Sequence, residues 1–292
     1  MAPAHEGRLP VDRAQLHYRV VGEGLPIIVL HGGPDFDQQY LLPELDRLAE
    51  SFRLVYYDQR GRGRSADGVE PGDVTIESEI EDLDRVRRHF GFEVVAVLGH
   101  SWGGLLAMEY AARRPERVSH LILLNTAPAS AEDVLSFREQ LRHLRPPGDV
   151  ERMEAIAAGD RYQAGDLEAE ADYYRIHFRV TLRQPELLEL VVRRLRAHFT
   201  EEGALRARAI EDRLYEQTWG VDGYDLIPRL QALDIPTLVL HGEHDFVPVP
   251  LAARIARAMP RGRLVVLEDC GHFSYLESPD AVHEHVVALF EG

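Results

Sequence analysis

Lysine is absent from this sequence of 292 residues, so all 33 basic side chains are arginine and any mechanism built on a lysine nucleophile or Schiff base is excluded. A single cysteine, Cys270, permits neither an intramolecular disulfide nor a cysteine-built zinc site, and it is read as a buried thiol. No stretch reaches the ~18 uninterrupted apolar residues of a membrane-spanning helix. The opening MAPAHEGRLP also lacks the apolar centre of a secretory signal, so a cytoplasmic location is expected. Positive charge is scarce overall: 49 acidic residues leave a formal net charge of −16, which sets the surface against nucleic acid and anionic membranes. Many arginines stand beside acids, as in Glu81-Asp82-Leu83-Asp84-Arg85-Val86-Arg87-Arg88, the pattern of a solvated helix face. There is no His-Glu-x-x-His metal motif and no solenoid-spaced repeat. Neither a metal nor a cofactor is therefore expected, and the oligomeric state stays open.

What is present is a chain of ordinary globular composition, 45% hydrophobic and 28% charged, long enough for one core plus an insertion. Residues 8–21 alternate polar and apolar side chains, the period of a half-exposed antiparallel hairpin. Short continuous apolar runs follow at 27–30, 54–57, 94–98 and 121–124, with two more at 236–241 and 262–267. Such runs suit strands covered on both faces. Between them lie helix-period segments at 40–49, 76–90, 103–114, 251–258 and 279–289, giving the alternation of an α/β protein. The expected architecture is a mostly parallel sheet of eight strands with helices on both faces. Residues 126–230 are charged, helical in period and free of buried-strand runs, and are read as a helical cap inserted into a core made of 1–125 and 231–292.

The chemistry is concentrated in loops at strand ends. Gly99-His100-Ser101-Trp102-Gly103 follows an apolar strand and opens a helix, the context in which a strained turn presents a serine hydroxyl as a nucleophile. A serine hydroxyl is weak at neutral pH and needs a base within hydrogen-bond reach. Of 14 histidines, His272, in Asp269-Cys270-Gly271-His272-Phe273 after the last strand, has the required place in chain order. His283 and His285 sit in the final helix and read as surface residues. Asp245, in His241-Gly242-Glu243-His244-Asp245, is the expected acid behind the histidine, with Glu243 and Asp269 as weaker alternatives nearer to strand ends. The loop after 121–124 offers Asn125, which cannot serve as the acid.

Two backbone N–H groups are needed for a tetrahedral oxyanion: that of Trp102, after the nucleophile, and that of Gly33 in His31-Gly32-Gly33-Pro34. His31 is read as a loop-fixing residue. The segment Tyr57-Asp58-Gln59-Arg60-Gly61-Arg62-Gly63-Arg64-Ser65 lacks the third glycine of a phosphate cradle and is read as a turn supporting the oxyanion loop.

These motifs together make the sequence similar to the proline iminopeptidase branch of the α/β-hydrolase fold superfamily. The likeness spans nearly the whole chain and rests on His31-Gly32-Gly33-Pro34, on Tyr57 to Ser65, on the serine elbow with Trp102, and on the late aspartate and histidine loops. It implies a cofactor-free serine hydrolase that removes N-terminal residues from short peptides, with acidic cap residues holding the free amine. The sequence departs from that family at two points: Asp35 follows Pro34 where glycine is usual, and Phe246 follows the triad aspartate where glutamate is common. Glu216 resembles the family's other acidic ligand and, with Asp35, is expected to bind an ammonium. Phe246 favours the alternative reading, a carboxylesterase or lactonase acting on small apolar esters. A ligand-binding receptor that has lost its chemistry is the reading from another class, against which the intact Ser, His and Asp set argues. Haloalkane or epoxide chemistry would need aspartate at position 101.

Overall fold

The computed structural model describes residues 4–291. Eight strands form one sheet: β1 (His5–Val11), β2 (Ala14–Val21), β3 (Leu25–Leu30), β4 (Phe52–Tyr57), β5 (Val95–His100), β6 (Val118–Leu124), β7 (Thr237–Gly242) and β8 (Gly262–Leu267). Their spatial order is β1-β2-β4-β3-β5-β6-β7-β8. β1 and β2 form an antiparallel hairpin at one edge, β2 meets β4 antiparallel, and the remaining pairs are parallel.

The apolar runs are continuous because both faces of the sheet are covered, and alternate residues serve two separate cores. Ile28, Leu30, Val55, Tyr57, Val97, Leu121 and Leu123 point to one core, shared with α1 (Ile76–His89), α2 (Trp102–Arg113) and α10 (Val249–Ala258). Ile27, Val29, Leu54, Tyr56, Leu98, Ile122 and Leu124 point to the other, covered by α11 (Ser274–Glu277), by α12 (Pro279–Glu291) and by helices from the segment between β6 and β7. α1 starts where the sequence offers a capping box: the Thr75 hydroxyl accepts from the Ser78 N–H at 3.0 Å, and Ser78 returns a bond to the Thr75 N–H at 2.9 Å.

The segment at 40–49, expected to be one helix, is instead two 3₁₀ pieces, Gln38–Leu41 and Glu44–Glu50. Pro43 lies between them, and a proline ring without an N–H cannot carry an i→i−4 ladder through that point.

Between β6 and β7 the chain makes helices and no strand: α3 (Ala131–Leu144), α4 (Pro147–Ala158), α5 (Asp160–Gln163), α6 (Leu167–Phe178), α7 (Leu188–Leu195), α8 (Glu201–Glu216) and α9 (Ile227–Leu230). An isolated antiparallel bridge between Ser130 and Asp225 pinches the two ends of this insertion together. Side chains from α3, α5, α6 and α8 meet the carboxyl ends of the parallel strands around a cavity of about 230 Å³, small for a ligand pocket.

Candidate active site

The cavity lies where a parallel sheet presents its loops, at the carboxyl ends of the strands. Ser101 stands between β5 and α2 with φ 55° and ψ −120°, outside the allowed regions for an L-residue. The cost of such a conformation is about 1–3 kcal/mol. The backbone is held there from both sides: its N–H donates to the Leu124 carbonyl at 3.1 Å, and its carbonyl accepts from Gly104 at 2.8 Å and Ala127 at 3.0 Å. Gly103 is required next to it because a Cβ there would lie 2.3 Å from the Leu30 carbonyl oxygen. The result is a serine side chain at the cavity wall beside His272, Gly33 and Trp102.

His272 donates from Nδ1 to both carboxylate oxygens of Asp245, at 2.9 and 3.0 Å. A carboxylate can only accept here, so the proton sits on Nδ1 and the lone pair on Nε2. Both side chains are buried. Burial acts to raise the Asp245 pKa, but the charges of His272 and His241 and the hydrogen bonds from His272 and Asn125 overcome it and hold the group at about 2. Glu243 and Asp269, the alternative acids, are both exposed, and Asp269 instead pairs with Arg183.

Asn125, read from the sequence only as unable to serve as the acid, supports the acid instead. With φ 47°, it donates from Nδ2 to Asp245 Oδ2 at 2.8 Å and to the Gly271 carbonyl at 3.0 Å, so it orients the acid and steadies the histidine loop at once. A second support was not legible in the sequence. The Gly32 N–H donates to the Tyr40 hydroxyl at 2.7 Å, that hydroxyl donates to His100 Nδ1 at 2.7 Å, and His100 Nε2–H donates to the His272 carbonyl at 3.0 Å. This relay ties the 31–34 loop to the loop that carries His272. Burial keeps His100 neutral, with its pKa lowered to about 3, which the relay of donors requires.

Gly33 has φ 116°, and a Cβ there would meet the Asp35 and Phe36 backbone nitrogens at 2.3 and 2.5 Å, so only glycine fits. Trp102 opens α2 and lines the cavity, so the positive end of the helix dipole lies at the cavity wall. His31 fixes the loop: it donates from Nδ1 to the Gly32 carbonyl at 2.9 Å, and its Nε2 accepts from the Gln59 N–H at 3.0 Å. Gln59 is in turn held by Arg62, whose fully buried guanidinium makes a two-pronged pair with Glu79 at 2.9 Å on each side. The Tyr57 to Ser65 segment is thus a scaffold under the 31–34 loop.

Two expected amine ligands are placed differently. Glu216 is exposed and absent from the cavity wall, while Glu211 on the same helix lines it. Their separation of five positions turns a helix through about 140° beyond a full turn, enough to put the two carboxylates on different faces. Asp35 lines the cavity, but its carboxylate is already committed, to the Arg196 guanidinium and to the Tyr174 hydroxyl at 2.7 Å. Phe246 does line the cavity, edge-on to His272 with ring centroids 4.4 Å apart. Glu211 has no hydrogen-bond or ion-pair partner among the described residues. Burial, and then the charge of Asp35, raise its pKa well above the usual carboxylate range, against the pull of Arg196. The charge of Glu211 is felt at Tyr173, and Tyr162 and Trp219 also line the cavity.

Cys270 is buried beside this loop, and burial first, then the charge of Glu277, push its thiol up to about 12. Almost no thiolate exists at neutral pH. Iodoacetamide at pH 7.5 is therefore expected to leave both the thiol and the activity intact, as intact mass and residual rate would show; rapid alkylation with loss of rate would contradict this.

A model of the family described as alpha/beta hydrolase fold matches residues 26–279. The chain belongs to the α/β-hydrolase fold family. Within it the likeness is to the proline iminopeptidase-like branch. The chain is 31% identical over 269 residues to the proline iminopeptidase of Saccharolobus solfataricus, covering 90% of this chain and 84% of the relative. The crystal structure of the Mycobacterium smegmatis proline iminopeptidase superposes with a TM-score of 0.72 at 26% identity, covering 98% of both chains. An enol-lactonase from Burkholderia xenovorans superposes with a TM-score of 0.70 at 25% identity, covering 98% of this chain and 100% of the other. This α/β-hydrolase is a serine hydrolase. Among the described residues no helix is long and apolar enough to cross a membrane, and no cluster of three potential metal ligands occurs.

Proposed function

We propose that this hydrolase is an aminopeptidase that removes one N-terminal residue from small peptides or aminoacyl amides through an acyl-enzyme on Ser101. His272 takes the serine proton on Nε2 and passes it to the leaving amine, then activates water for deacylation. Asp245 holds the imidazole in that tautomer, and the N–H groups of Gly33 and Trp102 stabilise the oxyanion. The insertion over 126–230 acts as the cap that closes the acyl pocket.

The observation that carries this reading is Glu211, a carboxyl without a protein partner on the wall of a mainly aromatic cavity. A half-buried carboxyl in an aromatic wall is costly to ionise alone, and a substrate ammonium would supply the missing partner, with Tyr173 beside it adding cation-to-ring attraction. Glu211→Gln is expected to raise KM for free-amine anilides about 10–100-fold, the scale of a lost charge-assisted hydrogen bond, with little change for an ester lacking the amine. Equal effects on both substrates would remove the amine-binding role.

The alternative, a small-ester hydrolase, is favoured by Phe246 and by the aromatic lining as a whole. A paired rate comparison separates the two: prolyl p-nitroanilide with its amine free, the same anilide N-acetylated, and p-nitrophenyl butyrate. Cleavage of the free-amine anilide alone is expected. Fast butyrate hydrolysis with neither anilide touched would make the chain an esterase.

A further inference from the structure

His177, near the end of α6, lines the cavity yet takes no part in the Ser101, His272 and Asp245 set or in the Tyr40 to His100 relay. Its ring sits against Tyr173 and Phe178 of its own helix and against Phe246 from the loop after β7, with ring centroids 6.2, 4.7 and 6.0 Å away. Arg145, in the turn between α3 and α4, places Nη2 2.7 Å from His177 Nδ1. A guanidinium has five donors and no acceptor, so Nδ1 must receive this bond through its lone pair. The proton of a neutral imidazole is then forced onto Nε2. A doubly protonated ring is disfavoured as well: burial, the charge of Arg145 and that of His272 together lower the His177 pKa to about 3. Arg145 does not line the cavity, and no acceptor among the described residues takes the Nε2–H. The protein thus keeps a polar N–H at an aromatic wall, with a fixed cation behind it that polarises the ring.

We propose that His177 is a substrate-binding donor, its tautomer locked by Arg145, which gives its Nε2–H to an oxygen of the residue that follows the scissile bond. Such an oxygen is the carbonyl or carboxylate of the second residue of a peptide. The acyl oxygen itself is accounted for by the N–H groups of Gly33 and Trp102, and the ammonium by Glu211, so the inference rests on the aminopeptidase reading and adds a third polar anchor to it. The anchor selects for peptides over simple anilides, which lack that oxygen. Arg145 is a positioning residue here, acting through the imidazole without touching substrate.

The test compares prolyl-alanine, which has the acceptor, with prolyl anilide, which does not, in the wild type and in His177→Leu, His177→Gln and Arg145→Met. His177→Leu is expected to raise KM for the dipeptide about tenfold more than KM for the anilide, the value of one hydrogen bond to a charged group. The glutamine amide, a donor of similar reach, restores part of the dipeptide affinity. Arg145→Met raises the dipeptide KM alone, because the ring can then adopt the other tautomer. A readout free of turnover comes from ring ¹⁵N spectra of Ser101→Ala: His177 stays in the Nε2–H form from pH 5 to 8, and prolyl-alanine shifts its Nε2 proton downfield. Equal KM changes for both substrates, or bound dipeptide that leaves the His177 signal unmoved, would overturn the donor role while the aminopeptidase reading stands. Failure of Ser101→Ala to bind either compound would overturn both.

Discussion

Replacing Asp245 by asparagine is expected to lower kcat by a factor on the order of 10⁴ while leaving the fold intact. Oδ1 of Asp245 accepts from the Val247 N–H at 2.9 Å and Oδ2 accepts from Asn125 at 2.8 Å, so donors already address both oxygens. An amide cannot satisfy both: whichever way it turns, its NH₂ faces a donor. Because Nδ1 of His272 lies 2.9 and 3.0 Å from the two oxygens, either orientation also sets the NH₂ against the Nδ1–H, which is relieved only when the ring moves its proton to Nε2. The Ser101 hydroxyl then meets a donor where it needs a base. Steady-state rates, with far-UV circular dichroism to confirm the fold, would check this. A loss below tenfold would mean that the imidazole keeps its tautomer without the carboxylate.

The second large effect concerns stability, at Arg196. Its buried guanidinium pairs with Asp35, donates to the Asp35 carbonyl and to Glu170 at 2.6 Å each, and reaches the Tyr174 hydroxyl at 3.0 Å. It also lies over the rings of Phe36, Tyr174 and Phe199 at 5.4, 5.2 and 4.7 Å. Arg196→Met keeps most of the volume but leaves Asp35 and Glu170 buried without this partner, which costs about 3–5 kcal/mol. Arg208 remains near Glu170 at 3.3 Å, so Asp35 is the more exposed loss. Asp35 lies two residues beyond Gly33, and the same change is expected to lower kcat as well as the urea midpoint. Adding Asp35→Asn and Glu170→Gln should restore much of the stability, because the charges that were stranded are gone. A midpoint shift worth under 1 kcal/mol for the single variant would show that water enters and solvates these groups.

These two sites illustrate what a sequence can carry. The strands were legible because burial on both faces demands apolar residues at every position, a local signal that survives without knowledge of neighbours. The elbow was legible for a related reason: the glycine beside Ser101 is dictated by backbone atoms of adjoining elements, so the chemistry leaves a fixed spacing. The proposed amine ligand was not. Glu216 and Glu211 lie on one helix, and which of them faces the cavity depends on how α8 rolls onto the core, a packing outcome with no local mark. Asp35 looked available because its partner is 161 residues away. The Tyr40 to His100 relay and the Arg145 to His177 pair are likewise long-range, joined through the fold alone. At 40–49 a helical period was present, but Pro43 broke the ladder.

The central claim is that Ser101 carries the acyl group, and labelling with a fluorophosphonate tests it most directly. Intact mass is expected to show one adduct per chain, peptide mapping should place it on Ser101, and Ser101→Ala should take up none. An adduct at another residue, or activity retained in Ser101→Ala, would contradict the account.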